Sequence, residues 1–167
     1  MRRDNTKKIE KLFEEFNKNT KKYNSIFPKE INRAKNHYKR RYRGEAFIGL
    51  AQVLEYQLHN FWIRYLINTS DKSQLPRKSL GLITYAEIMW NIGFLTTSQK
   101  SDLLAFQKGR NVIVHYTSKH FQIKGHPSDE TLGDQFKKGV KIAVEFSNYF
   151  KLPEFHFDPK IFQQKTK

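Results

Sequence analysis

Apolar residues along this chain recur at three- and four-residue steps and almost nowhere alternate with polar ones, so the pattern predicts helices throughout. From Thr6 to about Tyr23, Ile9, Leu12, Phe13 and Phe16 mark an amphipathic helix whose narrow apolar stripe suits the outside of a bundle. Asn24, Ser25 and Pro28 predict a break, with Pro28 in the first turn of a second helical stretch that runs to about Ser70. That stretch is too long for one straight globular helix, and Gly44 is the expected joint. Beyond it Phe47, Leu50, Ala51, Leu54, Leu58, Phe61, Trp62, Tyr65 and Leu66 form a wide stripe, the mark of a central core helix.

The polar run Asn68 to Lys78 reads as a loop, and Ser79 can cap a short helix with Leu82, Ile83, Ala86, Met89 and Trp90 on its core face, ended by Gly93. Thr96, Thr97 or Ser98 opens the next helix, where Leu103, Phe106, Ile113 and Val114 share a stripe. Lys119 to Pro127 is a loop or short hairpin, with His120 and His126 as minor candidates for accessory roles. Ser128, followed by Asp129 and Glu130, starts a last helix with a core face of Phe136, Val140, Ala143, Val144 and Phe150. After Pro153, the residues Phe155, Phe157, Ile161 and Phe162 are too apolar for a free end and should pack on the body or on a partner. The expected fold class is all-α, an up-and-down bundle of about five helices forming one domain over 1–167. Within it, 1–43 reads as a basic helical extension, 44–150 as the bundle core and 151–167 as a tail.

One core helix carries an anomaly, because Arg110 falls in the middle of the Leu103–Val114 stripe. Asn111 and His115 are four apart and stack on one flank, with Leu104 between them in angle. Arg110 and His115 are five apart, about 140° around the helix, so they converge only through the length of the arginine or a local distortion. A snorkelling arginine and a structural histidine would also fit this pattern. On the preceding helix, Glu55 and His59 form an i, i+4 pair that either stays on a solvated flank or turns Glu55 toward Arg110 as a bidentate partner.

Charge narrows the partners. Lysine and arginine number 31 against 16 acids, a formal net charge of +15, the balance of a protein that meets phosphate backbones. Arg33, Lys39, Arg40, Arg41 and Arg43, interleaved with Tyr38 and Tyr42, are the expected RNA grip or else a solvated face. With no cysteine there is no disulfide framework or Cys-ligated zinc site, and no stretch reads as a membrane span, so a soluble cytoplasmic protein with no membrane partner is expected. There is no Gly-rich phosphate loop, no HExxH and no carboxylate cluster suited to magnesium, so neither metal nor other cofactor is expected.

The run Arg110-Asn111-Val112-Ile113-Val114-His115 resembles the Arg-(Asn/Asp/His)-x3-His form of the signature of the HEPN superfamily. The resemblance covers roughly 44–150, and this run is its one specific element. It implies an all-α bundle and, in many members, a metal-independent endoribonuclease of toxin, defence or RNA-processing systems. It also implies a composite active site at a homodimer interface, with Asn111 positioning phosphate or orienting His115. An antitoxin or nucleotidyltransferase is a partner the resemblance admits. Some toxin members extend the signature to Arg-x4-His-x-Tyr, whereas here Tyr116 follows His115 directly and Thr117 takes the later place. Control by tyrosine nucleotidylation is therefore not carried over.

The chemistry fits these residues. RNA supplies its own nucleophile, the 2'-hydroxyl, so cleavage needs a base, an acid and a cation for the phosphorane charge. His115 moves a proton near neutral pH and Arg110 holds phosphate oxygens as a permanent fork. The expected catalytic set is Arg110, Asn111 and His115, with Glu55, His59 and Tyr116 in support. One motif gives one histidine, and a two-fold dimer would bring a second; Ala105 and Gly109 offer a small face for a neighbouring helix or such a copy. The alternative is a non-catalytic module of the same fold that binds RNA, a nucleotide or a protein.

Overall fold

The structure, a computed structural model, describes residues 2–69, 80–115 and 128–151. These form five helices: α1 (Arg2–Lys39), α2 (Arg43–Thr69), α3 (Leu82–Asn91), α4 (Thr97–His115) and α5 (Asp129–Tyr149). No strand occurs among the described residues, and the protein is all-α. No helix among them is long and apolar enough to cross a membrane.

Local chemistry explains most of the boundaries. Thr96 and Gln99 form a reciprocal capping box at the start of α4: the Gln99 N–H donates to Thr96 Oγ1 at 3.1 Å and the Thr96 N–H to Gln99 Oε1 at 3.0 Å. Ser128 caps α5 by accepting from the Thr131 N–H at 3.1 Å. The N-cap of α3 is Gly81, without a side-chain bond; Ser79, expected there, lies outside the described residues. Gly93, with φ of 76°, ends α3 as expected.

The expected break at Pro28 is absent, and α1 runs through it. Proline removes one helical hydrogen bond and crowds the carbonyl a turn before it, a cost of about 3 kcal/mol. The flanking Phe27 and Ile31 are 2% and 3% exposed in the core, and burying two such side chains contributes roughly 3–6 kcal/mol. Packing outweighs the proline. It also makes the second half of α1 part of the bundle core, which therefore begins well before residue 44.

The chain reverses at Arg40–Tyr42, before the expected joint at Gly44. The Tyr42 N–H bonds to the His37 carbonyl at 2.9 Å and the Arg41 N–H to the Tyr38 carbonyl at 3.0 Å, a Schellman closure. Arg41 occupies the left-handed position with φ of 67°, where glycine is least strained. The Tyr42 ring stands edge-on to His37 with centroids 6.2 Å apart.

Ring and glycine contacts set the packing. A Cβ on Gly44 would touch Ile113, and one on Gly109 would lie 3.0 Å from Phe47, so α2 and α4 are antiparallel. Gly139 of α5 takes the ring of Phe106, since a Cβ there would fall 2.3 Å from it. Tyr38 stacks on Phe136 at 4.3 Å and Phe27 meets Phe150 at 5.3 Å, which makes α1 and α5 antiparallel too. Four long helices thus run alternately up and down, with α3 as a short brace against α2 and α4. The α2 stripe from Phe47 to Phe61 is buried as expected, but Ile83, Trp90 and Val144 are exposed. Trp90 was expected in the core; at 38% exposure its ring instead carries Lys100 Nζ, 3.8 Å from the centroid.

Candidate functional site

Three pieces meet at one end of the bundle: the α1–α2 reversal, the C-terminal half of α4 and the start of α5. Along α4, Leu103, Phe106 and Gly109 are buried, and Arg110 is half-buried at the edge of that stripe. Arg110 Nη1 lies 3.5 Å from Asn111 Oδ1, a long contact, and the same oxygen accepts from Gln107 Nε2 at 3.0 Å. Arg110 Nε is buried with no hydrogen-bond partner. The arrangement is a half-buried cation steered by an amide, with donor capacity left over.

Of the expected catalytic set, the structure brings Arg110 and Asn111 together and leaves His115 apart. His115 is exposed at the last position of α4 and makes no hydrogen bond to Arg110 or Asn111 among the described residues. Helix geometry is the reason, since five residues on a regular helix put the two side chains about 140° apart. Gln107 was missed by sequence reasoning. Its signal was available, a polar residue one turn before Asn111 on the same flank.

The supporting residues fall elsewhere. No ion pair or hydrogen bond among the described residues joins Glu55 to Arg110 or to His59. Phe47 is level with Gly109, and Glu55, two turns on, is displaced along α2 by about 12 Å. His59 Nδ1 instead meets the Tyr85 hydroxyl at 2.5 Å, and that hydroxyl accepts from the Leu80 N–H at 3.0 Å. Tyr85 is fully buried, and burial lowers the His59 pKa from its ordinary value. The hydroxyl and the imidazole thus share a hydrogen bond inside the bundle. Tyr116, His120 and His126 lie outside the described residues.

The basic segment divides in the same way. Arg43 forks onto Asp129 with bonds of 2.6 and 2.9 Å and lies 6.0 Å from the Tyr38 ring, so it clamps the reversal to α5. Tyr38, half-buried on Phe136, is packing and not a platform. Arg33 lies 3.8 Å from Glu30 with both exposed, a weak pair. Lys39, Arg40 and Arg41 are exposed, and none forms an ion pair among the described residues. Tyr42, at 57% exposure, is the most open ring of this turn.

Gly109 is buried against Gln135 and Phe47 of its own chain. Its small face seats α4 on α2 and α5, and does not serve a second copy. The part of α4 that another copy can meet is the opposite flank, with Leu104, Asn111 and His115. No group of three His, Asp or Glu side chains suited to a metal ion occurs among the described residues. Comparison of the chain with protein-family models, with curated proteins and with solved structures gives no match, so the likeness to the HEPN signature rests on the residues of the run alone.

Proposed function

We propose that this protein is a metal-independent endoribonuclease whose site is built on Arg110, Asn111 and His115. The observation that carries the reading is Arg110 itself: a permanent cation at the edge of the core, half-buried, whose guanidinium makes only one long contact, to Asn111. The outer Nη groups of such a guanidinium offer a phosphate a fork of donors. In the reaction the 2'-oxygen bonds to phosphorus as its proton passes to a base. The bond from phosphorus to the 5'-oxygen breaks as that oxygen takes a proton from an acid. The products are a 2',3'-cyclic phosphate and a 5'-hydroxyl. His115 fills one proton role, and His115 of a second copy, presented on the outer flank of α4, fills the other. Toxin or defence work, with an antitoxin as partner, belongs to this same proposal.

A specific observation favours a second reading, since Arg110 and His115 do not meet within one chain. A single copy would then be a non-catalytic module that binds RNA through its basic end.

The test is cleavage of a mixed RNA pool in EDTA by wild type, Arg110→Ala and His115→Ala, with the product ends identified. The expected result is cyclic phosphate ends from wild type and a loss of about 10²–10⁴-fold in either variant. Intact RNA in every lane, with folded protein, moves the conclusion to the binding module. Activity that dies with chelator, or equal cutting of DNA, removes the mechanism, and full-rate cutting by a monomer removes the shared site.

A further inference from the structure

The reversal between α1 and α2 borders a shallow, open hollow of about 450 Å³. Ile48 and Ile113 line it with apolar surface, Tyr42 and Arg41 stand at its rim, and Glu45 contributes a carboxylate. A second hollow of about 290 Å³, between α1 and α2, shares Glu45 and Ile48 with the first.

We infer that this hollow seats an unpaired base of single-stranded RNA, while Lys39, Arg40 and Arg41 hold the phosphates beside it. The inference takes RNA as ligand from the reading above but does not require that the chain cut it.

The features fit a nucleotide jointly. A base is a flat apolar face with a polar edge, and it needs a ring or aliphatic surface to lie on and a partner for its edge. Tyr42 is a largely exposed ring steadied by His37, and Ile48 is one of the few large aliphatic side chains left exposed among the described residues. The phosphates on either side of a base need cations that are not already paired. Arg43 is committed to Asp129, whereas Lys39, Arg40 and Arg41 are exposed on the same turn without ion pairs among the described residues. Arg41 is held in a left-handed conformation that costs an arginine about 1–2 kcal/mol, so glycine would be the less strained residue there. Glu45 offers an acceptor to the donors on a base edge, the exocyclic amino groups of adenine and cytosine or the ring N–H of uracil. Finally, Ile113 is one turn from Arg110 on α4, about 5 Å along the axis, so a strand seated here passes the half-buried cation.

The test uses the full chain and short labelled oligo-C, oligo-A and oligo-U RNAs of equal length carrying 2'-O-methyl groups. These cannot be cut by 2'-attack, so binding is read whether or not the protein is a ribonuclease. Tyr42→Ala should weaken binding about tenfold or more at every salt concentration, leaving the salt slope in place. Replacing Lys39, Arg40 and Arg41 by alanine should flatten the salt slope by about 0.7 for each phosphate that is no longer neutralised. Glu45→Gln should change the relative affinities of wild type for the three RNAs. Wild-type affinity in a folded Tyr42→Ala protein overturns the inference, as does a Tyr42→Ala effect confined to the salt slope. So does a wild type that binds none of the three RNAs while Tyr42→Ala changes its mass in solution, which would make the patch a protein contact.

Discussion

The two ends of the bundle are built of different materials. At one end Phe61 lies 4.8 Å from Phe94, 5.3 Å from Phe146 and 4.9 Å from Phe150, with Phe27 beside Phe150. At the other the aromatic layer of Tyr38, Phe47, Phe106 and Phe136 is capped by a turn of exposed cations and a half-buried arginine. The first end packs its side chains on one another. The second leaves Lys39, Arg40 and Arg41 without ion pairs among the described residues, and the Nε of Arg110 without an acceptor. A stable bundle needs the first kind of end; the second is the end on which the proposed function rests.

The contrast can be broken by mutation. Phe146→Ala should cost about 3–5 kcal/mol in urea unfolding, because it removes a fully buried ring packed on Phe61. Tyr42→Ala should stay within about 0.5 kcal/mol. Equal losses would mean that the charged end is also scaffold. A smaller effect of opposite sign is expected at Arg41→Gly. Relief of the left-handed conformation should outweigh the added freedom of the unfolded chain, raising stability by up to about 1 kcal/mol, while RNA binding falls. A loss of stability would show that Arg41 is held by packing.

The smallest effect concerns pH. His59 has its pKa lowered by burial, and its Nδ1 shares a hydrogen bond with the Tyr85 hydroxyl. As pH falls, the unfolded chain binds this proton first. The stability that His59 contributes is therefore complete above its ordinary value near 6.5 and declines as pH drops below that value toward the folded pKa. The urea midpoint should fall from neutral to about pH 5, and His59→Gln should flatten the fall. An unchanged slope in the variant would assign the dependence to other groups.

Legibility followed range. The α2 stripe, the caps at Thr96 and Ser128 and the stop at Gly93 were readable because neighbours within a few residues decide them. Pro28 misled because the burial of Phe27 and Ile31, a tertiary effect, overrides the local cost. Trp90 misled because its partner, Lys100, stands on another helix. At the site, Arg110 and Asn111 were readable from periodicity on α4. The Arg43 fork onto Asp129 and the His59 bond to Tyr85 were not, because both depend on the register between helices, which spacing within one helix does not contain.

The Arg43–Asp129 fork also sets an order of events. Its partners are 86 residues apart, so during synthesis α1 and α2 can pair long before the carboxylate that ties their reversal exists. Until α5 leaves the ribosome and docks, the turn carries a further cation and lacks its anchor, and Tyr38 lacks the ring of Phe136. The aromatic end closes later still, because Phe146 and Phe150, which pack on Phe61, follow Asp129 and Phe136 in the chain. Arresting translation before Asp129 should leave the Arg40–Tyr42 turn without this anchor, and its amides should exchange with solvent faster than in the finished protein.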